Sequence, residues 1–213
     1  MRKGKEIYPK TKRLKVEGDV IQLTEKLDGS NLVIFKKNDE LYFAQRKIIF
    51  ALSEIEEAKD ICYKGLYQWA KDYGQTLKAN LHEGSAIAGE WLGMGNIKYT
   101  IDEFDKRWYM FAKANVDDDF NLYNLIYDHS LFIYPFIDQT IPKFIGVVPV
   151  VCEIKVLPNK KHLDAIYDKY CVSVGSRNVE GFVINYNDSI CKYVRMKNGK
   201  VVEYSDTDHK NIS

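Results

Sequence analysis

Short apolar runs separated by polar turns make up most of the chain, and many of these runs alternate as β-strands do. Strands are predicted for "DVIQLTEK" (19–26), "NLVIFKK" (31–37) and "LYFAQRK" (41–47), with "KNDE" as one of the turns, and their succession indicates a meander. Other strand-like segments cover 85–93, 107–116 and 146–156. Residues 180–188 and 189–197 predict a final hairpin whose turn lies at Asn187-Asp188.

Two segments place their apolar residues at helical spacing. Residues 53–73 form the first, in which Ser53 and Glu56 have the spacing of a capping box. Residues 158–170 form the second, which starts with a proline and has one apolar face. Residues 121–144 favour neither helix nor strand. This mixture predicts an α+β fold with mostly antiparallel sheet.

Length, composition and charge limit the number of domains and the kinds of binding partner that the chain can have. With 213 residues, 46% of them hydrophobic, the chain can bury a sizeable core, and a single domain is the simplest organisation. The net charge of +1 excludes a global field that attracts nucleic acid. Positive charge is concentrated in residues 1–15, which either contact phosphates or form a solvated terminus.

The cysteines and the hydropathy pattern indicate a soluble, cytoplasmic protein. The four cysteines are scattered without a C-x-x-C pair, which favours reduced thiols over disulfides or a zinc site. The basic start lacks the apolar region of a signal peptide, and no run is long enough for a membrane span.

The stretch "TEKLDGSN" (24–31) is the first candidate for chemistry. A lysine is nucleophilic only when it is neutral, so its pKa must fall through desolvation or nearby positive charge. Lys26, at the break between two predicted strands, could meet that condition, and Gly29 would allow the close approach of a ligand. A solvated turn lysine is the alternative, and K-x-D-G alone does not decide between them.

Later strands add carboxylates and cations to this candidate. Glu90 lies near the end of one strand, Glu180 at the head of another, and three basic residues follow a turn: Lys192, Arg195 and Lys197. Acidic residues are depleted in strands unless they bind a ligand or pair with a base. Together the residues form a phosphate-plus-metal set, although structural ion pairs are the alternative for each glutamate.

Six motifs in order resemble the covalent nucleotidyltransferases, that is, ATP-dependent RNA and DNA ligases and mRNA capping enzymes. They cover nearly the whole chain: Lys26-Leu27-Asp28-Gly29, Arg46 in "AQRKI", Gly89-Glu90, "WYMFA" (108–112), Glu180-Gly181-Phe182-Val183 and "KYVRMK" (192–197). "EKLDGSN", "GEWLG", "IKY" and "KYVR" look most similar to the RNA ligases.

The resemblance implies a fold, a reaction and a set of site residues. The fold is two mainly antiparallel sheets with flanking helices that form a nucleotide-binding groove, in one adenylylation domain over 1–213 without a C-terminal OB-fold domain. Catalytic roles are implied for Lys26, Glu90, Glu180 and Lys197, and the two glutamates are also the implied metal ligands. The implied ATP- or AMP-binding residues are Glu25, Lys26, Asp28, Gly29, Asn31, Arg46, Glu90, Phe111, Glu180, Phe182, Lys192, Arg195 and Lys197.

In the implied reaction, Lys26 attacks the α-phosphate of ATP, the lysyl-AMP passes AMP to a 5′-phosphate, and a 3′-hydroxyl then displaces AMP. ATP and Mg²⁺ are the implied cofactors, with Mn²⁺ as an alternative metal, and RNA ends in repair are the implied partners, with nicked DNA or a hybrid as alternatives. The final motif has R-M-K where K-x-K is usual, so either Lys192 or Arg195 fills its first position.

Other functions stay open on the sequence. The chain could be a minimal ATP-dependent DNA ligase, a capping guanylyltransferase, or a non-catalytic module that binds nucleotides or RNA ends. The missing OB fold argues against capping, and the intact Lys26, Glu90 and Glu180 argue against an idle binding module.

Overall fold

The structure, a computed structural model, describes residues 2–3, 21–155, 158–175, 177–186, 189–197 and 200–201. Its strands are β1 (Arg2–Lys3), β2 (Ile21–Lys26), β3 (Ser30–Lys37), β4 (Glu40–Ala44), β5 (Ile48–Ala51), β6 (Ser85–Trp91), β7 (Trp108–Val116), β8 (Leu122–Ile126), β9 (Gly146–Val147), β10 (Val150–Ile154), β11 (Gly181–Tyr186), β12 (Ser189–Val194), β13 (Met196–Lys197) and β14 (Lys200–Val201). Its helices are α1 (Leu66–Asn80) and α2 (Lys160–Ser173), with short 3₁₀ turns at Leu52–Glu54 and His129–Leu131.

The chain folds into two compact units. Unit 1 contains β1 and the chain from Gly29 to Val147, and unit 2 contains β2, Asp28 and the chain from Val148 onward. The sheet of unit 1 has the order β1-β5-β4-β3-β6-β7-β8, and β9 pairs in parallel with β7. Its central strand β3 is buried on both faces from Leu32 to Phe35, and α1 packs Trp69 and Leu77 into the core on one of them.

Unit 2 has a smaller antiparallel sheet with the order β10-β2-β11-β12, beside the two-stranded pair β13-β14. Leu163 of α2 packs against Leu23, Phe182 and Ile184 on one face of this sheet. The helix begins after Asn159, whose side chain accepts a hydrogen bond from the His162 amide, so the N-cap is Asn159.

The structure confirms the α+β class and most of the predicted strands. The turn between β3 and β4 has positive φ at both Asn38 and Asp39, the backbone of a type I′ hairpin. The hairpin of β11 and β12 is also confirmed, although its turn at 187–188 lies outside the described residues. The region 121–144 contains β8 and a 3₁₀ turn.

The predicted meander is wrong at its first strand. Strand β2 pairs with β10 and β11, whereas β3 pairs with β4 and β6, so the K-L-D-G stretch carries the chain from one sheet to the other. Alternation along β2 could not reveal this, because it specifies which face is buried and not which strand is the neighbour.

The first helix begins later than predicted. Residues 55–62 form turns, and α1 starts at Leu66. Gly65, just before it, has a φ of 85°, which is not a helical value, so the helix cannot extend back through this residue. The predicted capping box at Ser53 is absent from this described segment, because Glu54 rather than Glu56 bonds back to a backbone amide, that of Ala51. Glu56 instead accepts hydrogen bonds from Lys71 and Tyr67.

The predicted strand at 146–156 is two strands in different sheets, β9 and β10. Pro149 lies between them, and its carbonyl accepts a hydrogen bond from the Glu25 amide. Neither α1 nor α2 is long and apolar enough to cross a membrane.

Candidate active site

Lys26 is the last residue of β2 and lies opposite Gly181, the first residue of β11. This register brings Glu180 beside the lysine, and the Lys26 Nζ is 2.5 Å from the Glu180 Oε2. Both side chains are largely buried, with 18% and 15% of their surface exposed. The two residues are separated by 154 positions, so the sheet pairing is what brings them together.

The backbone at Glu180 is fixed by β12 and the residues that follow it. The carbonyl of Glu180 accepts hydrogen bonds from the amides of Arg195 and Met196, at 2.9 and 3.0 Å. Gly181 passes so close to this strand that a Cβ would lie 1.9 Å from the Tyr193 carbonyl oxygen. The E-G pair therefore has a structural reason, because only glycine fits behind the glutamate.

Burial raises the pKa of the Glu180 carboxyl, and the negative charge of Asp28 adds to this effect. The charges of Lys26 and Lys192 oppose the shift without cancelling it. Glu180 is thus a carboxylate that holds a proton more readily than a solvated glutamate does.

Glu25 and Lys26 point to opposite faces of the sheet, as consecutive strand residues do. The Glu25 side chain is fully buried, where Arg177 binds both carboxylate oxygens and the Tyr170 hydroxyl donates a hydrogen bond of 2.7 Å. Phe182 lies on the same face as Glu25 and is completely buried in the core of unit 2. The structure therefore does not bring these two predicted nucleotide-binding residues together with Lys26.

The basic residues of the last motif differ in their surroundings. Arg195 donates to Asp164 of α2 at 2.6 Å and lies over the Tyr167 ring, 5.4 Å from its centroid. Lys192 is paired with Val183, which is paired with Thr24, so it lies on the sheet face that carries Lys26. The Lys197 side chain lies outside the described part of the structure, although its backbone belongs to β13.

Asp164 accepts hydrogen bonds from three side chains, and these bonds lower its pKa. Burial alone would raise the pKa, but hydrogen bonds from Lys160, Tyr193 and Arg195 outweigh it and lower the pKa to about 2. Arg195 is therefore held by an ionised carboxylate of α2, which assigns it to the packing of unit 2.

In unit 1, Asn31 and Glu90 are direct neighbours in the register of β3 and β6. Gly29 precedes them at a point where a Cβ would lie 2.4 Å from the Trp91 carbonyl oxygen and 3.0 Å from the Glu90 Cγ. Glycine is required here by this close approach, and it brings the end of the K-L-D-G stretch against the strand that carries Glu90.

Arg46 belongs to the turn between β4 and β5, not to a strand as predicted, and its side chain is exposed. Its backbone amide donates to the Tyr63 hydroxyl at 3.3 Å, and that hydroxyl donates to the Asn31 carbonyl at 3.2 Å. Tyr63 therefore connects two of the predicted site residues.

Phe111 occupies a β-bulge of β7. The register shifts between Ala88, which pairs with Ala112, and Gly89, which pairs with Met110, so that Phe111 falls between the two paired positions. Its side chain is half-buried, whereas the neighbouring Trp108 is completely buried and donates its indole N–H to the Leu32 carbonyl. Of these two aromatic residues, Phe111 is the more exposed, and bulges often redirect side chains at functional sites.

Carboxylates do not cluster in the described residues, where no group of three or more His, Cys, Asp or Glu could hold a metal ion. Asp28 acts on Glu180 through its charge, and Glu90 lies in the other unit.

Three residues were missed at the level of sequence: Tyr63, Tyr170 and Arg177. Tyr63 lies in a segment predicted to be helical, and Arg177 in a stretch without a motif. Tyr170 and Arg177 contact Glu25 from 145 and 152 positions away, and Tyr63 contacts Asn31 from 32 positions away, so no local signal could have identified these contacts.

Comparisons with known proteins identify the fold and the family of the chain. No curated protein sequence matches the chain significantly. A solved structure from Aquifex aeolicus, provisionally assigned as an ATP-dependent DNA ligase, is 14% identical and matches with a TM-score of 0.51 over 88% of this chain and 49% of that chain. An unliganded variant of a Naegleria gruberi RNA ligase is 15% identical, with a TM-score of 0.49 over 84% of this chain and 50% of that chain.

A Naegleria gruberi RNA ligase variant with ATP and Mn is also 15% identical, with a TM-score of 0.47 over 84% and 50% of the two chains. The chain thus spans about half the length of these solved structures, and the Aquifex aeolicus match confirms the fold. The family model described as RNA ligase matches residues 19–199, which is most of the sequence. The chain belongs to the RNA ligase family.

Proposed function

We propose that the protein is an ATP-dependent RNA ligase that forms a lysyl-AMP intermediate on Lys26 and joins 5′-phosphate and 3′-hydroxyl ends in RNA repair. The observation that carries the proposal is the buried pair of Lys26 and Glu180 at the end of β2, in a chain whose residues 19–199 match the RNA ligase family.

In the proposed first step, the Lys26 Nζ forms a bond to the α-phosphorus of ATP. The bond from this phosphorus to the bridging oxygen breaks, and pyrophosphate leaves. The ion pair with Glu180 holds the lysine in place as an ammonium, which must lose a proton before it can attack. Glu180 is the acceptor nearest to that proton, and burial raises its pKa toward the range in which it can accept one.

The remaining predicted residues would bind the nucleotide. Lys192, whose charge acts on Glu180, and Lys197 would neutralise the α-phosphate, while Arg195 would anchor α2. In unit 1, Phe111 would stack on the base, and Asn31, Arg46 and Glu90 would contact the ribose and the phosphates. Asp28 and Gly29 would shape the backbone beside the nucleophile.

Mg²⁺, or Mn²⁺ in its place, fits this donor set. Magnesium is usually held by one or two carboxylates together with substrate phosphates and water, so it does not require the cluster of three acids that the described residues lack. Glu90 and Glu180 would hold the metal, which would supply positive charge to the phosphates. The protein residues would supply position and proton transfer.

The later steps need a second substrate. AMP would pass from Lys26 to a 5′-phosphate of RNA, and a 3′-hydroxyl would then form the new phosphodiester bond as AMP leaves. Two further points stay predictions. Residues 1–213 would act as one adenylylation domain, and the protein would act in the cytoplasm.

Incubation with α-labelled ATP or GTP and Mg²⁺, followed by a denaturing gel, tests the proposal. A covalent label from ATP and none from GTP is expected. A label from GTP alone would indicate a capping guanylyltransferase, and no label would indicate a non-catalytic binding module. Nicked and single-stranded 5′-phosphorylated RNAs, DNAs and hybrids then separate an RNA ligase from a DNA ligase, because only the preferred ends are joined.

A further inference from the structure

The Tyr63 hydroxyl lies between two residues of the proposed nucleotide site. It donates to the Asn31 carbonyl and accepts from the Arg46 amide, at 3.2 and 3.3 Å. Burial raises the pKa of Tyr63, although the hydrogen bond from the Arg46 amide and the charge of Arg46 act in the opposite direction. The phenol therefore stays protonated near neutral pH and can make both bonds.

The segment that carries Tyr63 is also hydrogen-bonded to two other residues of unit 1, Gln45 and Trp91. The buried Gln45 side chain accepts from the Tyr63 amide at 2.6 Å and donates to the Ile61 carbonyl at 3.1 Å. Trp91 follows Glu90 in β6, and its indole donates a hydrogen bond to the Lys64 carbonyl at 3.2 Å. Residues 61–64 thus bridge β3, the β4–β5 turn and β6, which carry Asn31, Arg46 and Glu90.

Arg46 contacts this bridge through its backbone amide. Its guanidinium is exposed and makes no hydrogen bond or ion pair with another residue in the described part of the chain. The turn is closed at its base by a hydrogen bond from the Gln45 amide to the Ile48 carbonyl, and the Tyr63 hydroxyl holds the residue at its tip. A cation whose backbone is already fixed loses less conformational entropy on binding a phosphate than a cation on a mobile backbone does.

We propose that Tyr63 is a positioning residue, which holds the Arg46 backbone against the start of β3 so that the guanidinium is directed at the polyphosphate of ATP. This inference rests on the proposed function, because it takes ATP as the ligand of Arg46. Tyr63 itself acts through Arg46 and need not touch the nucleotide.

A double-mutant cycle on nucleotide affinity tests the inference. The ligand is α,β-methylene-ATP with Mg²⁺, in which a carbon replaces the bridging oxygen of the bond that Lys26 would break, so binding is measured without reaction. Tyr63→Phe, which removes one hydroxyl, should weaken binding about 5-fold, and Arg46→Ala about 10-fold. The double variant should bind as weakly as Arg46→Ala alone, because Tyr63 acts through the arginine.

Tyr67→Phe is the matched control. It also removes a tyrosine hydroxyl, one that bonds to Glu56 at the surface and contacts no proposed site residue, so its affinity should equal that of the wild type. The inference is overturned if Tyr63→Phe weakens binding by the same factor in the presence and absence of Arg46, or does not weaken it at all.

A second variant covers the case in which Tyr63→Phe does not fold. Gln45→Met keeps the side-chain volume but removes both bonds to residues 61 and 63, and its effect should likewise vanish in the Arg46→Ala background. If the wild type binds the analogue but takes no label from ATP, the proposed ligase function fails while the cycle still decides the role of Tyr63. If the wild type does not bind the analogue, both are contradicted.

Discussion

Two carboxylates of unit 2 lie next to cations but differ in their surroundings. Glu180 pairs with Lys26 at a partly accessible position, whereas Glu25 is sealed between Arg177 and Tyr170 in the core. Both were predicted as site residues, and the alternation of β2 separates them. For a single residue, the face of the sheet to which its side chain points decides whether a substrate can reach it.

Glu180→Ala and Phe111→Ala should therefore affect different kinetic constants. Loss of Glu180 removes the partner of the proposed nucleophile, so the maximal rate of adenylylation should fall about 10²- to 10³-fold. Loss of the Phe111 ring should mainly raise the KM for ATP, since base stacking contributes about 1–3 kcal/mol. Steady-state labelling over a range of ATP and Mg²⁺ measures both.

Glu153→Ala and Phe111→Tyr are the controls for this comparison. Glu153 is an exposed carboxylate on β10 of the same sheet, and tyrosine keeps the ring, so both variants should behave like the wild type. A near wild-type rate for Glu180→Ala at saturating ATP would show that the ion pair is only structural. An unchanged KM in Phe111→Ala would place the stacking residue elsewhere.

At the level of elements, two ionic contacts tie α2 and the chain after it to the sheet of unit 2. Arg177 binds Glu25 of β2 just beyond the end of α2, and Arg195, after β12, binds Asp164 within the helix. The first contact is buried and the second is partly exposed, so they should contribute to stability in different ways.

Arg177→Ala should lower the free energy of unfolding by about 3–5 kcal/mol, because it leaves the buried Glu25 charge without a partner. Urea unfolding measures this loss. Adding Glu25→Gln to the Arg177→Ala variant removes the unpaired charge and should restore part of the stability. Equal stability of Arg177→Ala and the wild type would mean that Glu25 is not buried as an ion.

The Asp164 contact predicts a pH dependence. The folded-state pKa of about 2 lies below the ordinary value of 3.8, so the unfolded chain takes up the proton first as the pH falls. Its stabilising contribution should be complete above pH 3.8 and be lost as the pH falls toward 2. The difference in unfolding free energy between wild type and Asp164→Asn, followed from pH 6 to 2, measures it.

Other carboxylates titrate in both proteins and cancel in this difference. The advantage of the wild type over Asp164→Asn should shrink between pH 4 and 2. A difference that stays constant over this range would mean that the hydrogen bonds of Lys160, Tyr193 and Arg195 do not hold the carboxylate ionised.

For the whole molecule, the strands with clear alternation and the final hairpin could be predicted from the sequence, and so could the family. The sheet to which β2 belongs could not, because the first link of the meander connects two sheets through Asp28 and Gly29. Helix α1 was misplaced, because the apolar residues of 55–62 fit a helical face while forming turns.

The candidate site divides in the same way. Lys26, Glu90 and Glu180 were predicted because they belong to ordered motifs, and the structure places Lys26 and Glu180 in one ion pair. Arg177, Tyr170 and Tyr63 were missed because each acts through a contact between segments that no local pattern specifies. Phe182 was included by its motif, although the register turns it into the core.

Mass spectrometry of the protein after incubation with ATP and Mg²⁺ tests the central claim most directly. A single AMP adduct should map to the peptide that contains Lys26. It should be absent from Lys26→Arg, whose guanidinium stays protonated, and present in the control Lys155→Arg, which changes an exposed lysine of the same unit. An adduct on another residue, an adduct retained in Lys26→Arg, or none in the wild type would contradict the assignment of Lys26 as the nucleophile.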